Sequence, residues 1–184
     1  MALTKTPICD FGKKAENFKL NSTENKLISL NDVKGENGTL VMFICNHCPY
    51  VKAVIEDIVK DCKKLETSGI NSVAICSNDV KNYPEDSFEN MVKFSKNHNF
   101  NFPYLIDETQ EIAKNYDAVC TPDFFGYNKN LELQYRGRIK ELKDLKPITT
   151  GESELYKAMK QISETGYGPK NQIPSMGCNI KWKN

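Results

Sequence analysis

The sequence predicts an α/β protein, and three observations carry that reading. A nearly continuous apolar run of strand length, Thr39-Leu40-Val41-Met42-Phe43-Ile44, is followed by apolar positions at helical spacing from Pro49 onward, and then by a second apolar strand over residues 72–77. A strand, helix, strand series of this length implies a right-handed parallel crossover, with the first strand central and covered on both faces. The 184 residues, 39% of them hydrophobic, suffice for one sizeable core without metals or disulfides. With no internal repeat and no dividing linker, a single domain over residues 1–184 is expected.

The elements follow in order. Glu16-Asn17-Phe18-Lys19-Leu20 and Lys26-Leu27-Ile28-Ser29-Leu30 are short extended patterns flanking the turn former Asn21-Ser22-Thr23-Glu24-Asn25, so residues 1–35 read as an N-terminal β-hairpin extension. A Gly-rich turn then leads into the central strand. Val51, Val54, Ile55, Ile58, Val59, Cys62 and Leu65 predict an amphipathic helix from Pro49 to about Ser68-Gly69. Past the strand at 72–77, a polar segment containing Asn82-Tyr83-Pro84 precedes a helix over 86–97 with Phe88, Met91, Val92 and Phe94 on its apolar side. A strand at 104–106, a helix near 109–116, a hairpin of strands 124–127 and 131–136 around Asn128-Lys129-Asn130, and a last helix over 151–164 complete the pattern. Residues 166–184 read as a Gly/Pro-rich C-terminal tail.

Charge and composition exclude several function classes. Lys plus Arg outnumber Asp plus Glu by 25 to 24, so a net charge of +1 gives no electrostatic reason to expect nucleic acid, an anionic membrane or an acidic substrate as partner. No apolar run approaches the roughly 18 residues of a membrane span. Met1-Ala2-Leu3-Thr4-Lys5-Thr6-Pro7 lacks the apolar core of an export signal. The seven cysteines are an odd number and several lie in apolar stretches, which fits packed thiols in a reducing compartment. The expected location is cytoplasmic.

The chemistry is expected at Cys45-Asn46-His47-Cys48-Pro49. Random placement of the cysteines gives roughly 0.2 CxxC pairs, so context rather than the bare motif carries the argument. The pair ends an apolar strand and opens an amphipathic helix, where unpaired N–H groups and the positive end of the helix dipole favour a thiolate. One helical turn brings the two sulfurs within bonding reach, so that one attacks a mixed disulfide formed by the other. Cys45 is expected to be the nucleophile and Cys48 the resolving thiol, with a partly protonated His47 lowering the Cys45 pKa. Pro49 in the first helical turn removes no helical hydrogen bond. The plainer alternatives are packed cysteines or half of a zinc site. Zinc needs about two further ligands, and the chain has no second CxxC and only His47 and His98 as imidazoles, so no metal is expected.

Here the sequence resembles the thioredoxin-fold superfamily, and within it the AhpC/TSA and TlpA/ResA-like branch that includes peroxiredoxin relatives. The resemblance rests on residues 12–20, the strand running into Cys45-Asn46-His47-Cys48-Pro49, the segment inserted after Cys76, and Tyr116-Asp117-Ala118-Val119-Cys120-Thr121-Pro122-Asp123-Phe124-Phe125. It implies a thioredoxin-like fold: a central mixed β-sheet flanked by helices, with an N-terminal β-hairpin and an inserted helix/strand segment. It also implies that Pro122 is cis and faces the two cysteines, with Thr121 offering backbone polar groups to a substrate strand. Cys120 would lie beside this site, as a third redox thiol or, more plainly, as a small residue in a tight bend.

The departures matter as much. Thioredoxins proper carry Trp-Cys-Gly-Pro-Cys and a buried acid in the preceding strand, whereas residues 40–44 contain no carboxylate, so no proton-shuttling acid is assigned. Typical peroxiredoxins carry Pro-x-x-x-Thr-x-x-Cys; counting back from Cys48 puts Cys45 at the Thr position and Val41 at the Pro position. The only arginines, Arg136 and Arg138, read as surface charges at a strand end, with service in a peroxide site by one of them as the less favoured alternative. Cys178 reads either as a thiol that resolves a sulfenic acid at a distance or, slightly favoured, as a residue packed under Trp182, and Cys9, Cys62 and Cys76 are expected to be structural. His98 and Lys52 are expected at the surface.

The leading functional expectation is a thiol-disulfide oxidoreductase that cycles Cys45 and Cys48 between dithiol and disulfide, with protein thiols or disulfides as partners and no cofactor beyond that couple. A thiol peroxidase acting on hydroperoxides is the second. A noncatalytic module binding an extended peptide beside Thr121 is the third. Oligomeric state has no sequence signal.

Overall fold

The computed structural model describes residues 3–183. In chain order its elements are β1 (Leu3–Lys5), β2 (Lys19–Ser22), β3 (Leu27–Ser29), α1 (Leu30–Val33), β4 (Gly38–Phe43), α2 (Pro49–Glu66) and β5 (Ile70–Cys76). A 3₁₀ turn at Pro84–Asp86 precedes α3 (Phe88–Asn97), β6 (Tyr104–Ile106), α4 (Glu111–Asn115), β7 (Cys120–Thr121) and β8 (Asp123–Asn128). The chain then forms β9 (Leu133–Tyr135), β10 (Leu142–Lys143), β11 (Lys146–Pro147), α5 (Glu154–Thr165) and β12 (Met176–Asn179). No helix among the described residues is long and apolar enough to cross a membrane.

The expected central mixed sheet flanked by helices is present, in the order β3-β2-β6-β5-β4-β8-β9. β4 pairs in parallel with β5, which pairs in parallel with β6, while β8 lies antiparallel on the other side of β4. Side-chain alternation along β4 divides the core in two. Leu40, Met42 and Ile44 join Val51, Val54, Ile55, Ile58 and Leu65 of α2 and Leu155, Met159 and Ile162 of α5 on one face. Val41 and Phe43 join Val73, Ile75, Leu105, Tyr116, Phe125 and Tyr127 on the other. Leu40, Val41 and Met42 are wholly buried, which is why this strand reads as continuous apolar sequence rather than as an alternating one.

Three elements differ from the sequence reading. The N-terminal hairpin is no appendage: β2 pairs with β6, so β2 and β3 extend the main sheet. The helix expected over 86–97 is broken at Ser87, because Asp86 is turned inward at the end of a 3₁₀ turn opened by Pro84. The C-terminal tail contains a strand, β12, held between β1 and β7 in a separate sheet of order β1-β12-β7. Residues 176–179, Met-Gly-Cys-Asn, carry neither alternation nor β-branched side chains, so nothing local announces that strand.

Candidate active site

β4 delivers the chain to Ile44, whose N–H continues the sheet to the Ile75 carbonyl at 3.1 Å, and α2 begins at Pro49 with Cys48 as its N-cap residue. The two cysteines thus sit at a strand-to-helix junction. The loop between them is held from outside by one carboxylate. Asp86 Oδ1 accepts the backbone N–H groups of Asn46 at 2.8 Å and His47 at 3.3 Å, and Oδ2 meets His47 Nδ1 at 2.6 Å and Asn78 Nδ2 at 2.7 Å. Asn46 is fixed further by Tyr104, whose hydroxyl donates to Asn46 Oδ1 at 3.0 Å, and by donation from Asn46 Nδ2 to the Glu85 carbonyl at 3.0 Å. The N–H groups of residues 46 and 47 are therefore committed to Asp86.

Thr121 closes the site from the other side. The Thr121-Pro122 peptide is cis, as the resemblance implied. Thr121 Oγ1 lies 3.4 Å from Cys45 Sγ, and Cys48 Sγ lies 3.1 Å from the Thr121 carbonyl oxygen, to which it donates whenever it carries its proton. The Cys45 and Cys48 side chains lie near enough to shift each other's titration in opposite directions. Both are buried, at 1% and 0% exposure, so neither sulfur presents itself to solvent in this conformation.

The surroundings of the two thiols pull their pKa values apart, Cys48 downward and Cys45 upward, whereas the sequence reading expects the lowered value at Cys45. The hydrogen bond from Cys45 is the largest influence lowering the Cys48 pKa; burial opposes it, and the Thr121 hydroxyl, the Val51 N–H and Cys178 reinforce it. Cys45 is pushed the other way by its hydrogen bond to Cys48, by burial and by the negative charge of Asp86. The N-cap position of residue 48 on α2 acts in the same direction, through the Val51 N–H.

His47 lies between Cys45 and Asp86 and is held more tightly by the carboxylate. Its Nδ1 is 2.6 Å from Asp86 and 3.9 Å from Cys45 Sγ, so its proton serves the carboxylate. The hydrogen bond to Asp86 raises the His47 pKa against the opposing effect of burial, and the ring stacks on Tyr83 with centroids 5.7 Å apart. Burial raises Asp86, but hydrogen bonds from His47 and Asn78 outweigh it, and the net shift is downward. Cys45, His47 and Asp86 bring a sulfur, a ring nitrogen and a carboxylate oxygen within 4.8 Å of one another, the set that could hold a metal ion. In the apo geometry that nitrogen and oxygen are already engaged with each other.

The other expectations sort as follows. Cys120 is buried on β7 with its thiol 3.7 Å from the Pro122 carbonyl, and burial raises its pKa. The position beside Thr121 expected to receive a substrate strand is filled by the chain's own β12, with Cys178 opposite Thr121 and Asn179 opposite Cys120. Cys178 is buried opposite Thr121, where Cys48 influences its titration, while Trp182 is 41% exposed. Arg136 is no surface charge: it is buried, donates to Asp123 at 3.0 and 3.3 Å, and stacks on Phe125 with its guanidinium 4.4 Å from the ring centre. Sequence reasoning missed Asp86, and it weighed Cys178 only as a distant resolving thiol or a packed residue. Asp86 follows Asn-Tyr-Pro-Glu, a turn signal that marks a loop and says nothing of where its carboxylate points.

Residues 11–142 match the AhpC/TSA family. Among curated proteins, the thiol-disulfide oxidoreductase ResA of Bacillus subtilis is 28% identical over 117 residues, 64% of this chain and 61% of that protein, so the chain spans less than two thirds of that relative's length. An uncharacterized conserved protein from Geobacillus kaustophilus, solved by crystallography, superposes with a TM-score of 0.94 at 41% identity over 100% of this chain and 97% of that one. The thioredoxin domain of a thiol-disulfide oxidoreductase from Bacteroides vulgatus superposes with a TM-score of 0.58 at 16% identity over 68% and 86% of the two chains, a likeness of fold alone.

Proposed function

Since the chain belongs to the AhpC/TSA family, we propose that it is a thiol-disulfide oxidoreductase whose working couple is Cys45 and Cys48. The observation that carries this reading is the meeting of both sulfurs on Thr121 at the N-terminus of α2, with Cys48 favoured as thiolate. In the reducing direction the Cys48 thiolate attacks a partner disulfide and releases one partner sulfur as thiolate. Cys45 then loses its proton, attacks Cys48 Sγ and expels the second partner sulfur, leaving a Cys45-Cys48 disulfide and two partner thiols. The partners on this reading are protein thiols and disulfides, and no further cofactor takes part. The cytoplasm is the proposed setting, supported by Cys62 and Cys76, which pack in the core as thiols.

What favours exchange over peroxide reduction is the fate of Arg136, which is ion-paired to Asp123 rather than facing either sulfur. Cys45→Ser and Cys48→Ser are each expected to reduce insulin-disulfide reduction to background while the reduced wild type is active. Full activity in Cys48→Ser would overturn the mechanism. The same preparations should consume hydroperoxide no faster than an ordinary thiol.

A further inference from the structure

Beyond the Cys45 and Cys48 couple, and resting on that reading, we propose that Cys178 is a third exchange thiol, so that a disulfide on Cys48 migrates between Cys45 and Cys178. β12 places Cys178 directly opposite Thr121, the residue whose hydroxyl and carbonyl meet the two CxxC sulfurs. Cys178 is thus paired with the residue whose carbonyl lies 3.1 Å from Cys48 Sγ, and Cys48 influences the titration of both Cys45 and Cys178.

The strand that carries Cys178 is built to lie there. Gly177 packs so closely that a Cβ would overlap the Thr121 carbonyl, so only glycine permits this approach. Ser175 Oγ donates to the Pro122 carbonyl at 2.8 Å on one side of Cys178, and the Ile180 N–H reaches the Val119 carbonyl at 3.2 Å on the other. Beyond β12, the Lys181 N–H is accepted by Asn78 Oδ1 at 2.9 Å, and the Lys181 carbonyl accepts from Gln110 Nε2 at 2.8 Å. Cys178 is thereby held in register on both sides.

The step balances without an added oxidant once Cys45 and Cys48 are joined. Cys178 gives up its proton and attacks Cys48 Sγ, the Cys45-Cys48 bond breaks, and Cys45 leaves as a thiolate that takes up the proton. One disulfide and one thiol become another disulfide and another thiol. All three cysteines are buried, at 1%, 0% and 4% exposure for Cys45, Cys48 and Cys178, so the exchange is internal and gives the disulfide a second resting place on β12.

The test is disulfide mapping on the full chain. Reduced protein is treated with oxidised glutathione, quenched in acid, alkylated, digested and examined by mass spectrometry. Wild type is expected to show both Cys45-Cys48 and Cys48-Cys178 peptides, Cys45→Ser only the latter, Cys178→Ser only the former and Cys48→Ser neither. A wild type that forms Cys45-Cys48 without any Cys48-Cys178, together with a Cys45→Ser protein that shows no Cys48-Cys178, would overturn the third thiol and leave the proposed oxidoreductase standing. Loss of Cys45-Cys48 from both wild type and Cys178→Ser would overturn the underlying reading itself.

Discussion

Asp86 does at residue scale what the CxxC motif cannot do for itself. The loop from Cys45 to Cys48 has two N–H groups to satisfy and an imidazole to orient, and one buried carboxylate accepts from all three. Charge-assisted bonds of this kind are worth about 1.5–3 kcal/mol when a buried partner is lost. Asp86→Asn keeps one acceptor oxygen and removes the charge, so it is expected to cost about 2 kcal/mol of stability in chemical denaturation. By NMR titration it should return His47 toward its ordinary value of 6.5. The wild-type pair also sets a pH window. His47, which faces Asp86, Lys181, Cys45, Cys48 and Tyr83, has a raised folded pKa, so its contribution is full below 6.5 and is lost as pH rises through that raised value. Asp86 has a lowered folded pKa, so its contribution is full above 3.8 and is lost as pH falls through that lowered value. Denaturation midpoints measured against pH should therefore show the pair contributing most between 3.8 and 6.5. Unchanged His47 titration in Asp86→Asn would remove this account.

Among the elements, α2 and β12 have opposite relations to the sequence. The α2 stripe was legible because burial follows 3.6-residue spacing: Val51, Val54, Ile55, Ile58, Cys62 and Leu65 are all buried, and Pro49 sits at the helix start where it costs nothing. β12 was illegible because its stability comes from neighbours far away in the chain, β1 on one edge and β7 on the other. Its one local requirement is the absence of a side chain at Gly177. Gly177→Ala is expected to destabilise by about 1–3 kcal/mol through overpacking against the Thr121 carbonyl. Hydrogen exchange should show faster opening at β7 and β12 than in β4, since only the former depend on that contact. A change confined to β4, or none at all, would show that β12 does not dock as described.

At the scale of the whole molecule, the central sheet with α2 and α5 on one face and α1 and α4 toward the other is a rigid platform from which the site projects at the C-terminal end of β4. Met42 is wholly buried at the middle of that platform, between β5 and β8. Met42→Ala is expected to cost about 2–5 kcal/mol. Calorimetry should register this as a lower unfolding temperature, while Cys48 remains the lower-pKa thiol by thiolate absorbance. If the thiolate titration moved with stability, the site would not be independent of core packing.

The amino-acid order alone determined the α/β class, the buried strand, the amphipathic helix and the placing of two cysteines at their junction. Each of these is a periodicity or a spacing read within one short segment. Tertiary structure alone decided that Asp86 holds the loop, that Arg136 is buried on Asp123, that Thr121 meets both CxxC sulfurs, and that Cys178 arrives opposite it. These depend on which distant segments meet, and such meetings leave no mark on local hydrophobic pattern. Electrostatic and hydrogen-bonding partners act over a few ångströms of space regardless of their separation along the chain.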